Sequence, residues 1–168
     1  FVPVYSPVTY QRIATGEEYL ESVSSSVEVV SFNGHGAEIS HQLGGAPATD
    51  DYLEVDELPE PGAMLYSLLS CSTGDFTHPD YLAGHYLFDG DALLVTAATT
   101  PVFSTGDDSQ ELALWKLGLP FYKARQLSGG EGLASTILGD PTLRLPAADS
   151  GARASISINR LDFGDIAV

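Results

Sequence analysis

The chain has 168 residues, 43% of them hydrophobic, which is enough for one domain with a core and excludes a disordered chain. Seven Lys and Arg stand against 23 Asp and Glu, a net charge of −16, and such a field excludes nucleic acid and anionic membranes as partners. No apolar run reaches the length of a membrane span, and one cysteine excludes both an internal disulfide and a cysteine-rich zinc site.

In chain order, Thr15 and Glu18 have capping-box spacing and predict a short helix through about Ser24. Val27 to Phe32 (VEVVSF) is rich in β-branched residues and predicts a buried strand that ends in Asn33-Gly34-His35-Gly36. Ala37 to Gly62 contains Gly-Gly, several prolines and an acidic run, and is expected to be a loop. Ala63 to Ser70 predicts a second strand, which leads straight into Cys71. Residues 80–88 suit a helix with Asp80 at its cap, and Ala92 to Thr99 predicts a third strand. Asp107 to Leu117 is expected to be helical, and Pro120 suits the start of another helix. The Gly-rich segment Ser128 to Gly132 breaks the pattern, and Gly139 to Leu145 (GDPTLRL) predicts a turn into a short strand.

Continuous apolar strands separated by helices predict an α/β fold with a mainly parallel sheet covered on both faces. Sites in such sheets form at the carboxyl ends of strands, where His35 and Cys71 fall here. Parallel neighbours lie about 4.8 Å apart, so residues at adjacent strand tips face one cleft whatever their separation in sequence. Taken alone, a lone cysteine after an apolar strand is more often a small buried hydrophobe than a thiol nucleophile beside an imidazole, and a histidine between glycines is often a turn residue. The turn after Cys71 offers backbone N–H groups as oxyanion donors, and the glycines flanking His35 permit close backbone approach.

Other candidates are weaker. His41, His78 and His85 lack metal-ligand spacing and are expected on the surface or on helix faces. Asp89-Gly90-Asp91 and Asp107-Asp108 are compatible with a structural calcium ion, but as turn residues they need none, and no cofactor is required. Gly129-Gly130-Glu131-Gly132 is followed by no Lys-Ser/Thr, and no Gly-x-Ser-x-Gly elbow occurs. Trp115 is expected in the core or at its rim. No Lys or Arg occurs between Arg12 and Lys116, where most of the acids lie; plain solubility and steering of basic substrates both account for this.

The segments FNGHGAEISHQL and LYSLLSCSTGDF together resemble the gingipain family, within the caspase-like clan of cysteine peptidases. Gly34-His35-Gly36, Cys71-Ser72-Thr73-Gly74-Asp75-Phe76, the strand Ala92 to Thr99 and Gly139-Asp140-Pro141 follow one another in the family's order. The resemblance covers roughly residues 15 to 146. It implies a caspase-like three-layer sandwich whose first strands lie upstream of Phe1, along with the acid that orients the histidine in some members. It implies Cys71 as nucleophile, His35 as the proton-transfer group, and the N–H groups of Gly36 and Cys71 as the oxyanion hole. The expected reaction is peptide-bond hydrolysis through a thioester, and the acidic half fits cleavage after basic residues. Leu69-Ser70 stand where caspases have Gln-Ala, and Ala37 and Ala83-Gly84 depart from the family's usual Ser and Ala-Glu. A non-catalytic caspase-like domain used in surface attachment or display is the alternative.

Residues 1–146 are therefore expected to form the peptidase-like domain and 147–153 a linker. Residues 154–168, with Leu161-Asp162-Phe163-Gly164, resemble the first strand of immunoglobulin-like modules. A chain that begins at Phe1 without a signal peptide reads as part of a larger multidomain protein, secreted or displayed on a bacterial-type cell surface, with protein or peptide substrates as partners.

Overall fold

Residues 15–24, 27–43, 51–102, 109–129 and 134–145 are described by a computed structural model, and all of them belong to one compact unit, Thr9–Leu145. The linker and immunoglobulin-like strand expected at 147–153 and 154–168 lie outside these residues, as do Asp107 and Asp108.

The first helix, α1 (Gly16–Val23), starts where the capping spacing places it: Thr15 Oγ1 accepts the Glu18 N–H at 3.3 Å. Strand β1 (Val29–Asn33) follows. The stretch expected to be a loop from Ala37 to Gly62 instead holds most of a second sheet. Strands β2 (His35–Gly36), β3 (Ser40–Leu43) and β4 (Asp51–Glu54) pair antiparallel in that order, and a 3-10 turn follows at Val55–Glu57. Strand β5 (Leu65–Leu69), helix α2 (Leu82–Phe88) and strand β6 (Leu94–Ala98) agree with their predicted positions. Helix α3 (Ser109–Lys116) and helix α4 (Phe121–Ser128) come next, the latter entered from Pro120. Strand β7 spans Ser135–Gly139, so Gly139 closes a strand and opens none; Asp140 to Leu145 is turn and irregular chain, which corrects the strand expected there.

The main sheet has the order β1-β5-β6-β7, with β1, β5 and β6 parallel and β7 antiparallel to β6. Successive side chains alternate between its two faces. Val30, Phe32, Tyr66, Leu68, Val95 and Ala97 face one way and pack with Tyr19 and Val23 of α1 and Leu82 and Tyr86 of α2. Leu65 and Leu94 face the other way and pack with Trp115 of α3 and Phe121 and Ala124 of α4. Helices thus cover both faces, and β5 and β6 are buried on both, whereas β1 buries Val30 and Phe32 on one face and exposes Ser31 and Asn33 on the other. Trp115 belongs to the core, and its Nε1–H donates to the Leu143 carbonyl at 3.0 Å. Arg125 of α4 reaches the Glu111 carboxylate of α3 (Nη1 to Oε2, 3.3 Å) and donates through Nη2 to Ser135 Oγ of β7.

Two of the three lesser histidines fit the surface or helix-face expectation: His78 lies half-buried in the turn before α2, and His85 sits on α2 paired with Asp89 (Nδ1 to Oδ2, 3.0 Å). His41 does not. It lies on β3 with no exposed surface, among Tyr19, Phe32 and Tyr86. Its Nε2 shares hydrogen bonds with the hydroxyls of Tyr86 (3.0 Å) and Tyr19 (3.2 Å), which bond each other at 2.6 Å. Its Nδ1 is buried with no partner. Burial disfavours the imidazolium and lowers the His41 pKa to about 3, while the Tyr86 hydroxyl is pushed well above its ordinary value by burial.

Candidate active site at the strand tips

The register of β1 on β5 decides where the two reactive residues fall. Val29 pairs with Leu65 and Asn33 with Leu69, a constant offset of 36. His35 and Cys71 carry the same offset, each two residues past the last paired position of adjacent parallel strands. The ladder runs on by one bond, Gly34 N–H to the Leu69 carbonyl at 3.3 Å. The His35 turn then packs directly on the residue before the cysteine: a Cβ built on Gly36 would lie 3.0 Å from Ser70 Oγ and 3.1 Å from both Ser70 Cβ and the Ser40 carbonyl oxygen. Any larger residue at 36 would force Ser70 or the Ser40 carbonyl to give way by a few tenths of an ångström.

Hairpin geometry sets the direction of the Gly36 N–H. Ala37 N–H donates to the Ser40 carbonyl at 2.9 Å, and Gly36 faces His41 in the β2–β3 register. Hydrogen-bonded and non-bonded pairs alternate in an antiparallel ladder, so Gly36 occupies a non-bonded pair and its N–H points out of the hairpin, away from β3.

The turn after Cys71 departs from expectation. Three of its N–H groups are consumed, by the end of β6, the chain after it and the turn itself: Gly74 N–H donates to the Ala98 carbonyl (2.7 Å), Ser72 N–H to the Thr100 carbonyl (3.2 Å), and Asp75 N–H to the Ser72 carbonyl (3.0 Å). Cys71 N–H has no backbone partner among the described residues. Ser72 is held at φ 54, in the left-handed region that costs a non-glycine residue about 1–2 kcal/mol. This strain sits immediately after the thiol.

Two carbonyls from these loops close the start of α2. Leu82 N–H donates to the Glu38 carbonyl (2.7 Å) in the hairpin after His35, and Ala83 N–H to the Thr73 carbonyl (2.9 Å) in the turn after Cys71. Backbone thus satisfies the helix donors that Asp80 was expected to cap; Tyr81 holds the cap position without a side-chain bond. One helix terminus locks together the loops that carry His35 and Cys71.

His35 is exposed and Cys71 half-buried. The thiol is engaged by Val102: Sγ–H donates to its carbonyl at 3.3 Å, and its N–H donates to Sγ at 3.4 Å. No hydrogen bond joins His35 to Cys71. Asp75, the nearest acid in sequence, is turned onto Thr77, whose hydroxyl (2.7 Å) and N–H (3.1 Å) bond its Oδ1. The Thr77 hydroxyl does most to hold the Asp75 carboxyl below the usual range, with a smaller contribution from His78.

Among the described residues, no group of three His, Cys, Asp or Glu side chains could hold a metal ion, and no helix is long and apolar enough to cross a membrane. Comparison with protein-family models, curated proteins and solved structures returns no match.

Proposed function

We propose that the protein is a cysteine endopeptidase of the caspase-like type, in which Cys71 attacks a peptide carbonyl and His35 transfers protons. The observation that carries this reading is the equal two-residue overhang of His35 and Cys71 on adjacent parallel strands. The strand order, with β1, β5 and β6 parallel and helices on both faces, is compatible with a caspase-like sheet and leaves that finer assignment as part of the proposal.

In the proposed reaction the thiolate adds to the carbonyl carbon, and the oxyanion accepts hydrogen bonds from the N–H groups of Gly36 and Cys71. The outward Gly36 N–H and the unclaimed Cys71 N–H favour this pairing over donors deeper in the turn. His35 takes the Cys71 thiol proton and gives it to the leaving amine as the C–N bond breaks and a thioester forms. Water that loses a proton to the same imidazole then cleaves the thioester, and that proton returns to the Cys71 sulfur. For the thiol to act, its bond to the Val102 carbonyl must be released; the Val102 N–H contact is the one that stabilises a thiolate. Exposed His35 is free to swing toward substrate.

A second reading has its own support. The thiol is occupied by Val102 and makes no bond to His35, as in a domain kept for attachment or display. Acyloxymethyl-ketone probes with different residues before the ketone separate the two. The account expects covalent labelling of the chain at Cys71, strongest with Arg or Lys in the probe, and lost in Cys71→Ala and His35→Ala. A folded protein that no probe labels supports the display reading.

A further inference from the structure

A cleft of about 780 Å³ lies beside the strand tips, bounded by the 3-10 turn after β4 on one wall and by the segment His78 to Asp89 on the other. Its volume is within the range of about 300–1,000 Å³ that accommodates a specific ligand. Ile39, Val55, Leu58 and Tyr81 make it partly apolar, and Phe88 stands in it with 72% of its surface exposed. Phe88 thereby adds exposed apolar surface to the cleft wall.

Its ionic character is one-sided. Glu54, Asp56, Asp80 and Asp89 line it, and no Lys or Arg does. All of its walls come from the stretch between Arg12 and Lys116, where the sequence has no cation. Glu54 is committed to the capping box with Glu57, and Asp89 to His85. Asp56 and Asp80, on opposite walls, are exposed, and neither makes a side-chain ion pair among the described residues.

We propose that this cleft docks an extended peptide segment of a partner protein, one that alternates apolar side chains with Lys or Arg. The apolar side chains would cover Phe88 and its neighbours, and the cations would pair with Asp56 and Asp80. Separated carboxylates on two walls with apolar surface between them suit a peptide better than a compact cation, consistent with the absence of a converging metal-ligand group among the described residues. Neither His35 nor Cys71 lines the cleft.

The test uses the full chain as Cys71→Ala, which removes any turnover. Fluorescence anisotropy would follow a labelled peptide alternating leucine with lysine and arginine, against matched peptides with glutamine or glutamate at each cationic position. The account expects saturable binding of the basic peptide only, weakened as salt rises. Asp56→Asn with Asp80→Asn should weaken it about fivefold, as expected for two exposed charge pairs, and Phe88→Ala should weaken it too. The matched control is Glu17→Gln with Glu21→Gln on α1, exposed carboxylates outside the cleft, which removes the same charge. An equal loss in that control would reassign the binding to the net charge of −16 and overturn the proposal. Binding of the glutamine peptide as tight as the basic one, or no saturable binding, would also overturn it.

Discussion

Lowering the pH from 7.5 to 5 should destabilise the fold through one residue, His41. It is fully buried, its pKa is lowered to about 3 by loss of solvation, and an exposed histidine of the unfolded chain titrates near 6.5. Because the folded-state value is the lower one, the unfolded chain takes up a proton that the folded chain refuses. The stabilisation is complete above pH 6.5 and is lost progressively as pH falls toward 3. At pH 5 the difference amounts to about 2 kcal/mol, or roughly 1 M in urea midpoint for a domain of this size. The groups packed against the ring from α1, β1 and α2 are Tyr19, Phe32 and Tyr86, none of which supplies a charge to hold an imidazolium. Urea unfolding at both pH values, for wild type, His41→Phe and His41→Gln, isolates the effect from the carboxylates. Both variants remove the titration, and Tyr19 and Tyr86 still have each other as partners. Wild type should lose about 2 kcal/mol more than either variant on acidification. Equal losses in all three, or a His41 resonance that titrates near pH 6.5 in the folded protein, would refute the reasoning.

Gly36→Ala should cost about 1–3 kcal/mol by overpacking against Ser70 and the Ser40 carbonyl, and should slow probe labelling of Cys71 more than it lowers the melting temperature; adding Ser70→Gly should restore part of both. Gly139→Ala should destabilise by about 2 kcal/mol or more, read as a urea midpoint shift, because position 139 has φ 96 and a Cβ there would collide with the Leu93 carbonyl. Arg125→Ala should cost about 3 kcal/mol by removing a partner of the buried Glu111 carboxylate, and Glu111→Leu with Arg125→Met should recover most of it; a negligible loss in the single variant would show that the pair is solvated.

Strands β5 and β6 were legible in the sequence because they are buried on both faces and hold mostly apolar residues, and β1 because its β-branched and aromatic residues Val29, Val30 and Phe32 mark a strand although Ser31 and Asn33 are exposed. The second sheet was not. Ser40-His41-Gln42-Leu43 and Asp51-Tyr52-Leu53-Glu54 hold few apolar residues, and the Gly-, Pro- and acid-rich chain around them masks the pattern. His41 is the clearest instance, since two tyrosine hydroxyls far off in sequence make its burial tolerable. The helix start at Leu82 was missed by one position for a related reason: carbonyls of Glu38 and Thr73 satisfy it in place of a local side chain. For the candidate site, the sequence placed His35 and Cys71 at strand ends, and the shared register is a structural fact no spacing rule supplies. The hold of Val102 on the thiol, from 31 residues away, had no sequence signal.

The measurement closest to the central claim is the alkylation rate of Cys71 by iodoacetamide, followed by intact mass between pH 5 and 9 in wild type and His35→Ala. Cys71 is the only thiol, so every added mass reports on it. The account predicts fast alkylation near neutral pH that drops at least about tenfold without His35, with an unchanged urea midpoint. Identical slow rates in the two proteins would contradict it and leave Cys71 as the packed end of a strand.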